Sequence, residues 1–254
     1  MRILVTNDDG IHAAGLTALC AALRDLGEVV VIAPEMPRSA CGHAITLHKP
    51  LRLSPVQMPD GGKGYASNGT PADCVALGVS DHVGGVPDLV VSGINRGPNL
   101  GVDMTYSGTV AAAMEAAICG LPSFAISVAS YEKAEFGPAA EFARYLARAI
   151  EEHGLSEGTF LNVNVPVVAR EKIEGVSITR QGRLRYSNRI ERRADPRGGL
   201  YYWLTGERVD QSSHPGGDAD AVSHNRISVT PVRLDLTHED LLDEMSGWKL
   251  DWPG

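Results

Sequence analysis

The sequence has no uninterrupted apolar stretch long enough to cross a bilayer. Its most apolar long stretch, residues 110–130, is broken by Glu115, Gly120 and Pro122, whereas a spanning helix needs about 20 mostly apolar residues. The opening Arg2-Ile3-Leu4-Val5-Thr6 turns polar too soon for the apolar region of a signal peptide. Both absences predict a soluble, cytoplasmic protein. Cysteine is scarce: Cys20, Cys41, Cys74 and Cys119 show no C-x-x-C spacing, which excludes a paired zinc knuckle and reads as small apolar core residues in a reducing compartment. Positive charge is also short. Lys and Arg number 23 against 31 Asp and Glu, a net charge of −8, which argues against a broad nucleic-acid-binding face. An acidic protein that handles an anionic substrate must supply positive charge locally, and a bound cation does that. Internal repeats and low-complexity linkers are absent too.

What is present reads as alternating strands and helices. Ile3 to Thr6 is an apolar run closed by the turn Asn7-Asp8-Asp9-Gly10. Leu16, Leu19, Cys20 and Leu23 recur at helical spacing up to Gly27, and Val29 to Ala33 is the next strand. This is a βαβ unit of ordinary size. Further on, a helix is predicted at Asp73–Val79, a strand at Asp88–Ser92 running into a glycine-rich loop at Gly93–Gly101, and an alanine-rich helix at Val110–Cys119. A strand at Phe124–Val128, a helix at Ala139–Glu152 and a strand at Phe160–Val165 follow. Uninterrupted apolar strands suggest a mainly parallel sheet covered on both faces, a doubly wound α/β fold.

Beyond about Lys172 the character changes. Strand-like pieces at Val176–Thr179 and Leu200–Leu204 flank the arginine-rich segment Arg183–Arg197, which reads as a solvated loop or hairpin arm rather than a nucleic-acid arm. Asp210–His224 reads as loop, Ile227–Val232 as a strand and Leu236–Met245 as a short terminal helix. The expectation is one domain over residues 1–254, with about 172–226 as an extended arm.

In such sheets ligands bind outside the carboxyl ends of the strands. Four polar clusters fall there. Asp8 and Asp9 can swing toward one point in the turn after the first strand, and two carboxylates at one spot call for a cation. Ser39, in the Arg38–His43 loop, and Asn95, in the Gly93–Gly101 loop, add neutral oxygens. The resulting all-oxygen set suits Mg²⁺, Mn²⁺ or Ca²⁺ rather than zinc. Tyr106-Ser107-Gly108-Thr109 precedes a helix, whose free N–H groups and positive dipole end favour phosphate, although Ser107 or Thr109 could simply cap it. His43 is a candidate proton donor to a leaving group. Cys41 lacks the C-x₅-R setting of a phosphate-attacking thiol.

Together these clusters resemble the SurE (survival protein E) family of 5′-/3′-nucleotidases. The resemblance rests on Asn7-Asp8-Asp9-Gly10, Ser39 with Gly42-His43-Ala44-Ile45-Thr46, and Gly69-Thr70-Pro71-Ala72-Asp73-Cys74-Val75. It continues through Ser92-Gly93-Ile94-Asn95 with Gly97, Asn99 and Gly101, Tyr106-Ser107-Gly108-Thr109-Val110, and Ile227-Ser228-Val229-Thr230-Pro231. It implies one divalent metal ion per subunit, Mg²⁺ or Mn²⁺, on Asp8, Asp9, Ser39 and Asn95. It implies phosphate binding by Ser107, Gly108 and Thr109, with Asn95 beside them. It also implies a homodimer or homotetramer that exchanges a C-terminal arm. Ala40 stands where many members have glycine, and Asn225-Arg226 where many have glycine and an aromatic; asparagine tolerates positive φ.

The function implied is hydrolysis of nucleoside 5′-monophosphates, with 3′-monophosphates left open, by a metal-activated water and with no covalent intermediate. Asp8 and Asp9 are the catalytic candidates, either one able to accept the water's proton. Two other readings use the same residues. An aspartyl-phosphate phosphatase would use Asp8 as nucleophile, although such enzymes usually carry D-x-D. A metal-dependent nucleotide sensor would bind without turnover. Neither a membrane nor a nucleic acid is an expected partner.

Overall fold

The computed structural model describes all residues except 81–84, 133–134, 184–186, 188, 207–214, 249, 251 and 253–254. Among the described residues no helix is long and apolar enough to cross a membrane.

The first βαβ unit forms as its apolar spacing dictates: β1 (Arg2–Thr6), α1 (Ala14–Leu23) and β2 (Glu28–Pro34). Two short strands follow, β3 (Leu53–Gln57) and β4 (Lys63–Ser67), then α2 (Pro71–Gly78). Thr70 and Asp73 form a reciprocal capping box at the start of α2, with Pro71 in its first turn. Next come β5 (Leu89–Arg96), α3 (Gly108–Ile118), β6 (Ser123–Val128), α4 (Gly137–His153) and β7 (Thr159–Val165). The chain ends with β8 (Val176–Ile178), β9 (Arg189–Ala194), β10 (Leu200–Thr205), α5 (Asp218–Ser223), β11 (Ile227–Arg233) and α6 (Glu239–Ser246).

Nine strands make one sheet in the order β3-β4-β2-β1-β5-β6-β7-β11-β8. Pairing is parallel except between β3 and β4 and between β7 and β11. Helices α1 and α4 cover one face, packing Leu16, Leu19, Ala143 and Leu146 into a cluster with Ile3, Val5, Val31 and Val91. Helices α2 and α3 cover the other, where Cys74, Val75, Ala112 and Ala116 meet Leu4, Ile32 and Val90. The alternation of successive side chains on β1, Ile3 and Val5 to one face and Leu4 to the other, is the ordinary pleat of a strand buried on both sides. The expected doubly wound α/β core is what forms.

Some expectations shift. The predicted Asp88–Ser92 strand runs on to Arg96 as β5, with a register irregularity between Gly93 and Asn95 against β6. The helix predicted from Val110 starts at Gly108, with Ser107 as its N-cap. Residues 218–223, read as loop, form α5; six residues carry too little periodicity to register. Residues 210–214 of that loop lie outside the described residues. The terminal helix starts at Glu239, three residues later than expected. The apolar pattern predicts neither the edge strand β3, which contains Pro55 and stays largely exposed, nor its inner neighbour β4, whose buried side chains are small and which carries Gly64. The arginine-rich segment supplies β9, paired antiparallel with β10 as a separate hairpin, whereas β8, α5 and β11 stay with the main sheet.

The two departures from the family pattern both sit in left-handed backbone: Ala40 at φ 54° and Asn225 at φ 53°. Asparagine is suited to that region, and alanine is not.

Candidate active site

From β1 the sheet grows one way to β2 and the other way to β5. That reversal is a topological switch point, and a crevice opens outside the strand ends there. Asp8 and Asp9 leave the end of β1, Ser39 follows β2, and Asn95 lies on the last residues of β5. All four line one cleft of about 270 Å³, together with Arg96, Pro98, Asn99, Asp103, Tyr106, Ser107 and Tyr131. The register irregularity in β5 falls beside Asn95, the usual place for a device that re-aims a side chain.

The β1 turn is tied internally: Asn7 Nδ2 donates to the Gly10 carbonyl at 3.0 Å and Gly10 N–H donates back to Asn7 Oδ1 at 3.2 Å. Asp8 is 5% exposed. Its carboxylate accepts a hydrogen bond from the Thr109 hydroxyl, and the Thr109 N–H adds to it. Burial pushes the Asp8 carboxyl up, the Thr109 hydroxyl opposes that, and the nearby Asp9 charge adds to the rise. Burial also raises Asp9, against the Arg96 N–H, which donates to Asp9 Oδ2 at 3.1 Å, and the Arg96 charge. Asn95 Nδ2 donates to the Gly97 carbonyl at 2.8 Å, which turns its Oδ1 the other way.

Helix α3 points its N-terminus at this turn. Ser107 caps it, its hydroxyl accepting from Val110 N–H at 3.1 Å. Gly108 is there because the helix approaches Asp8 too closely for a side chain: a Cβ would lie 2.8 Å from both Asp8 Cβ and Cys41 Sγ. The arrangement sets an anionic carboxylate against the positive end of a helix.

Of the residues expected to bind phosphate, Ser107 and Asn95 line the cleft. Gly108 and Thr109 lie behind it, and the fully buried Thr109 side chain is spent on Asp8. His43 is outside the cleft lining; its Nε2 is 2.7 Å from Glu115 Oε2 on α3. Burial, with Asp8 adding, pushes the Cys41 thiol up, away from the thiolate a nucleophile needs. Sequence reasoning assigned no role to Arg96, Asp103 or Tyr131. Arg96 was in view within the glycine-rich loop. Tyr131 follows β6, the neighbour of β5, and only the strand order makes that end part of the crevice.

Chemically, two half-to-fully buried carboxylates with no described Lys, Arg or His in an ion pair with either form an oxygen-rich anionic spot. Among the described residues no group of three or more His, Cys, Asp or Glu is gathered for a metal. Any ion here must therefore take hydroxyl, amide or water oxygens beside the two carboxylates, which suits a hard cation.

Comparison with known proteins points to one family. The family model described as survival protein SurE matches residues 3–188. The chain is 49% identical over 249 residues to the 5′-nucleotidase SurE of Heliobacterium modesticaldum, covering 98% of this chain and 92% of that one. It is 50% identical over 259 residues to the 5′-nucleotidase SurE of Desulforudis audaxviator, covering 100% of both. The crystal structure of the SurE protein from Aquifex aeolicus superposes with a TM-score of 0.84 at 40% identity, covering 97% of this chain and 98% of that one. Matched along its whole length in sequence and in fold, the chain belongs to the SurE family.

Proposed function

We propose that this protein is a metal-dependent 5′-nucleotidase that hydrolyses nucleoside 5′-monophosphates to nucleoside and phosphate, with 3′-monophosphates left to the substrate panel below. The observation that carries the reading is the meeting of Asp8, Asp9, Ser39, Asn95 and Ser107 in one cleft at the switch point. The relatives named 5′-nucleotidase SurE, matched over nearly the whole chain, support it.

Family membership implies a divalent metal, and the residues fit one. Asp8 is a buried carboxylate whose only described side-chain partner is a hydroxyl, beside a second carboxylate. Asp8, Asp9, Ser39 and Asn95 would hold Mg²⁺ or Mn²⁺. When bound, the ion supplies Lewis-acid polarisation of a phosphate oxygen and lowers the pKa of coordinated water.

The chain's own residues supply the rest. Thr109 holds Asp8 in one rotamer, so the carboxylate is pre-positioned rather than recruited. Ser107, which lines the cleft at the positive end of α3, stabilises phosphoryl oxygens as charge spreads over them. Arg96 holds Asp9 through its main-chain N–H. Asp9 is less buried than Asp8 and is the better placed of the two to accept a proton from attacking water.

Phosphate release from a panel of nucleoside 5′- and 3′-monophosphates, with Mg²⁺, with Mn²⁺ and with excess chelator, tests this. Turnover should require the ion, and Asp8→Asn should nearly abolish it. Undiminished release in chelator would sink the metal reading.

Assembly through the β9–β10 hairpin is part of the same proposal. The hairpin leaves Ile190, Leu200, Tyr202, Trp203 and Leu204 at 57–88% exposure, and an isolated two-stranded hairpin is marginal in water. Exchange of this element between copies would cover it. Light scattering should show a dimer or tetramer, and deletion of residues 189–205 should give monomers or aggregates. A strictly monomeric full-length chain at micromolar concentration would return the hairpin to a solvated arm.

A further inference from the structure

Asp218 is completely buried, yet it is not part of the cleft lining. All its described hydrogen-bond partners are main-chain N–H groups. Oδ2 accepts from Gly101 at 2.8 Å, and Oδ1 accepts from Gly182 at 3.1 Å and from Ala219 at 2.7 Å. Beside it, Gln181 Nε2 donates to the Gly101 carbonyl at 2.9 Å. Gly101 is therefore gripped at both its N–H and its C=O by residues about 80 to 117 positions away in sequence. The grip is close. A Cβ on Gly182 would lie 2.4 Å from Asp218 Oδ1, so only glycine lets that N–H approach the carboxylate.

Gly101 sits in the middle of one cleft wall. Pro98 and Asn99 come before it, and Asp103, Tyr106 and Ser107 after it, all of them lining the cleft. The first half of this wall has its own tether to the sheet. The Asn99 carbonyl accepts from Asn162 Nδ2 at 2.8 Å and from Asn164 Nδ2 at 3.0 Å, and Asn99 Nδ2 donates to Ser127 Oγ at 2.8 Å. The second half, a 3₁₀ turn at Gly101–Thr105, has the Asp218–Gln181 clamp at its start. Asp8, Asp9 and Ser39 come from other segments, after β1 and β2, and meet the wall late, where Gly42 N–H donates to the Tyr106 carbonyl at 3.0 Å.

We propose that Asp218 and Gln181 are positioning residues for the nucleotidase reaction: by holding Gly101 they fix the wall from Pro98 to Ser107 and so set where the substrate lies relative to Asp8 and Asp9. The inference rests on the nucleotidase reading. In sequence β9 and β10 lie between Gly182 and Gly216, whose carbonyl accepts from Arg180 N–H at 3.0 Å. A carboxylate is needed at 218 because it offers acceptors on both oxygens to three donors at once. An amide there would turn its own N–H₂ toward one of them.

The test uses the full-length chain and two variants, Asp218→Asn and Gln181→Met. The latter keeps the length of an exposed side chain and removes a single bond. Three quantities are measured where circular dichroism shows a folded protein: Mn²⁺ affinity by calorimetry, steady-state kinetics on AMP, GMP, CMP and UMP, and hydrogen exchange at residues 98–107 relative to β1. The expected result is Mn²⁺ affinity within twofold of the wild type. With it, kcat/KM should fall at least tenfold in Asp218→Asn and at least threefold in Gln181→Met, with faster exchange confined to 98–107. Wild-type kcat/KM in folded Gln181→Met overturns the inference, as does a parallel loss of Mn²⁺ affinity, which would indicate general loosening. If Asp218→Asn does not fold, Gln181→Met decides. If the wild type hydrolyses none of the four nucleotides, the nucleotidase reading itself fails, and unchanged exchange in Gln181→Met then overturns the clamp separately.

Discussion

Thr109→Val is the substitution that most directly probes how the site is built. Thr109 is fully buried, and its hydroxyl donates to Asp8, itself only 5% exposed. Valine keeps the branched shape and removes only the donor. A hydrogen bond to a charged group contributes about 1.5–3 kcal/mol, and a buried acceptor left short of a donor carries a desolvation cost of similar size. The Thr109 main-chain N–H remains in place for Asp8, so the lower end applies, ~1.5–2 kcal/mol. That loss should appear as a lower urea midpoint with an unchanged m-value. Asp8 should also lose its single fixed rotamer. Mn²⁺ affinity should then weaken by up to about tenfold, the equivalent of ~1.4 kcal/mol. Because the side chain is fully buried on Asp8 and outside the cleft lining, turnover should fall by the same factor for every accepted nucleotide. A Thr109→Val protein with wild-type urea midpoint and wild-type Mn²⁺ affinity would refute the claim that this hydroxyl holds Asp8. A change of base preference at undiminished turnover would refute it as well.

Two further outcomes follow from the backbone and from charge. Ala40 sits at φ 54°, where a Cβ costs roughly 1–2 kcal/mol, part of it returned by the entropy that glycine loses on folding; Ala40→Gly should therefore raise unfolding free energy by about 0.5–1 kcal/mol while Mn²⁺ binding persists, and a destabilised variant would contradict the strain. Asp60 Oδ2 accepts from Arg24 Nε at 2.6 Å, and that bond holds the Asp60 carboxyl below its ordinary value of 3.8. Its contribution is thus complete above pH 3.8 and is lost as pH falls through the lower folded value. Asp60→Asn should cost about 1–2 kcal/mol at pH 7, and the gap to wild type should close below pH 3.8; a gap that widens on acidification would reverse the assignment.

Local chemistry made much of this protein legible in its sequence. Apolar runs and helical spacing placed β1, α1, β2, β6, α4 and β7, because each of those elements buries its side chains against the core and its composition must show it. The cleft residues Asp8, Asp9, Ser39, Asn95 and Ser107 were visible for a related reason: each falls at a strand end or a helix start, and in a doubly wound sheet those ends converge. Strands β3 and β4 were not legible: β3 is an exposed edge strand with a proline, and β4, though inner, buries only Gly64, Ala66 and Ser67, which leave no apolar run. Nor was the antiparallel insertion of β11 between β7 and β8, which is decided by pairing across the sheet. Thr109 marks the boundary most sharply. Its position before an alanine-rich helix reads as a phosphate contact, and only the approach of α3 to the β1 turn, at Gly108, gives its hydroxyl to Asp8 instead. Asp218 carries no signal at all in a polar stretch; its role exists only because folding brings Gly101, Gly182 and Ala219 around one carboxylate. Residue type and spacing fix what a segment can offer, and long-range packing decides which partner receives it.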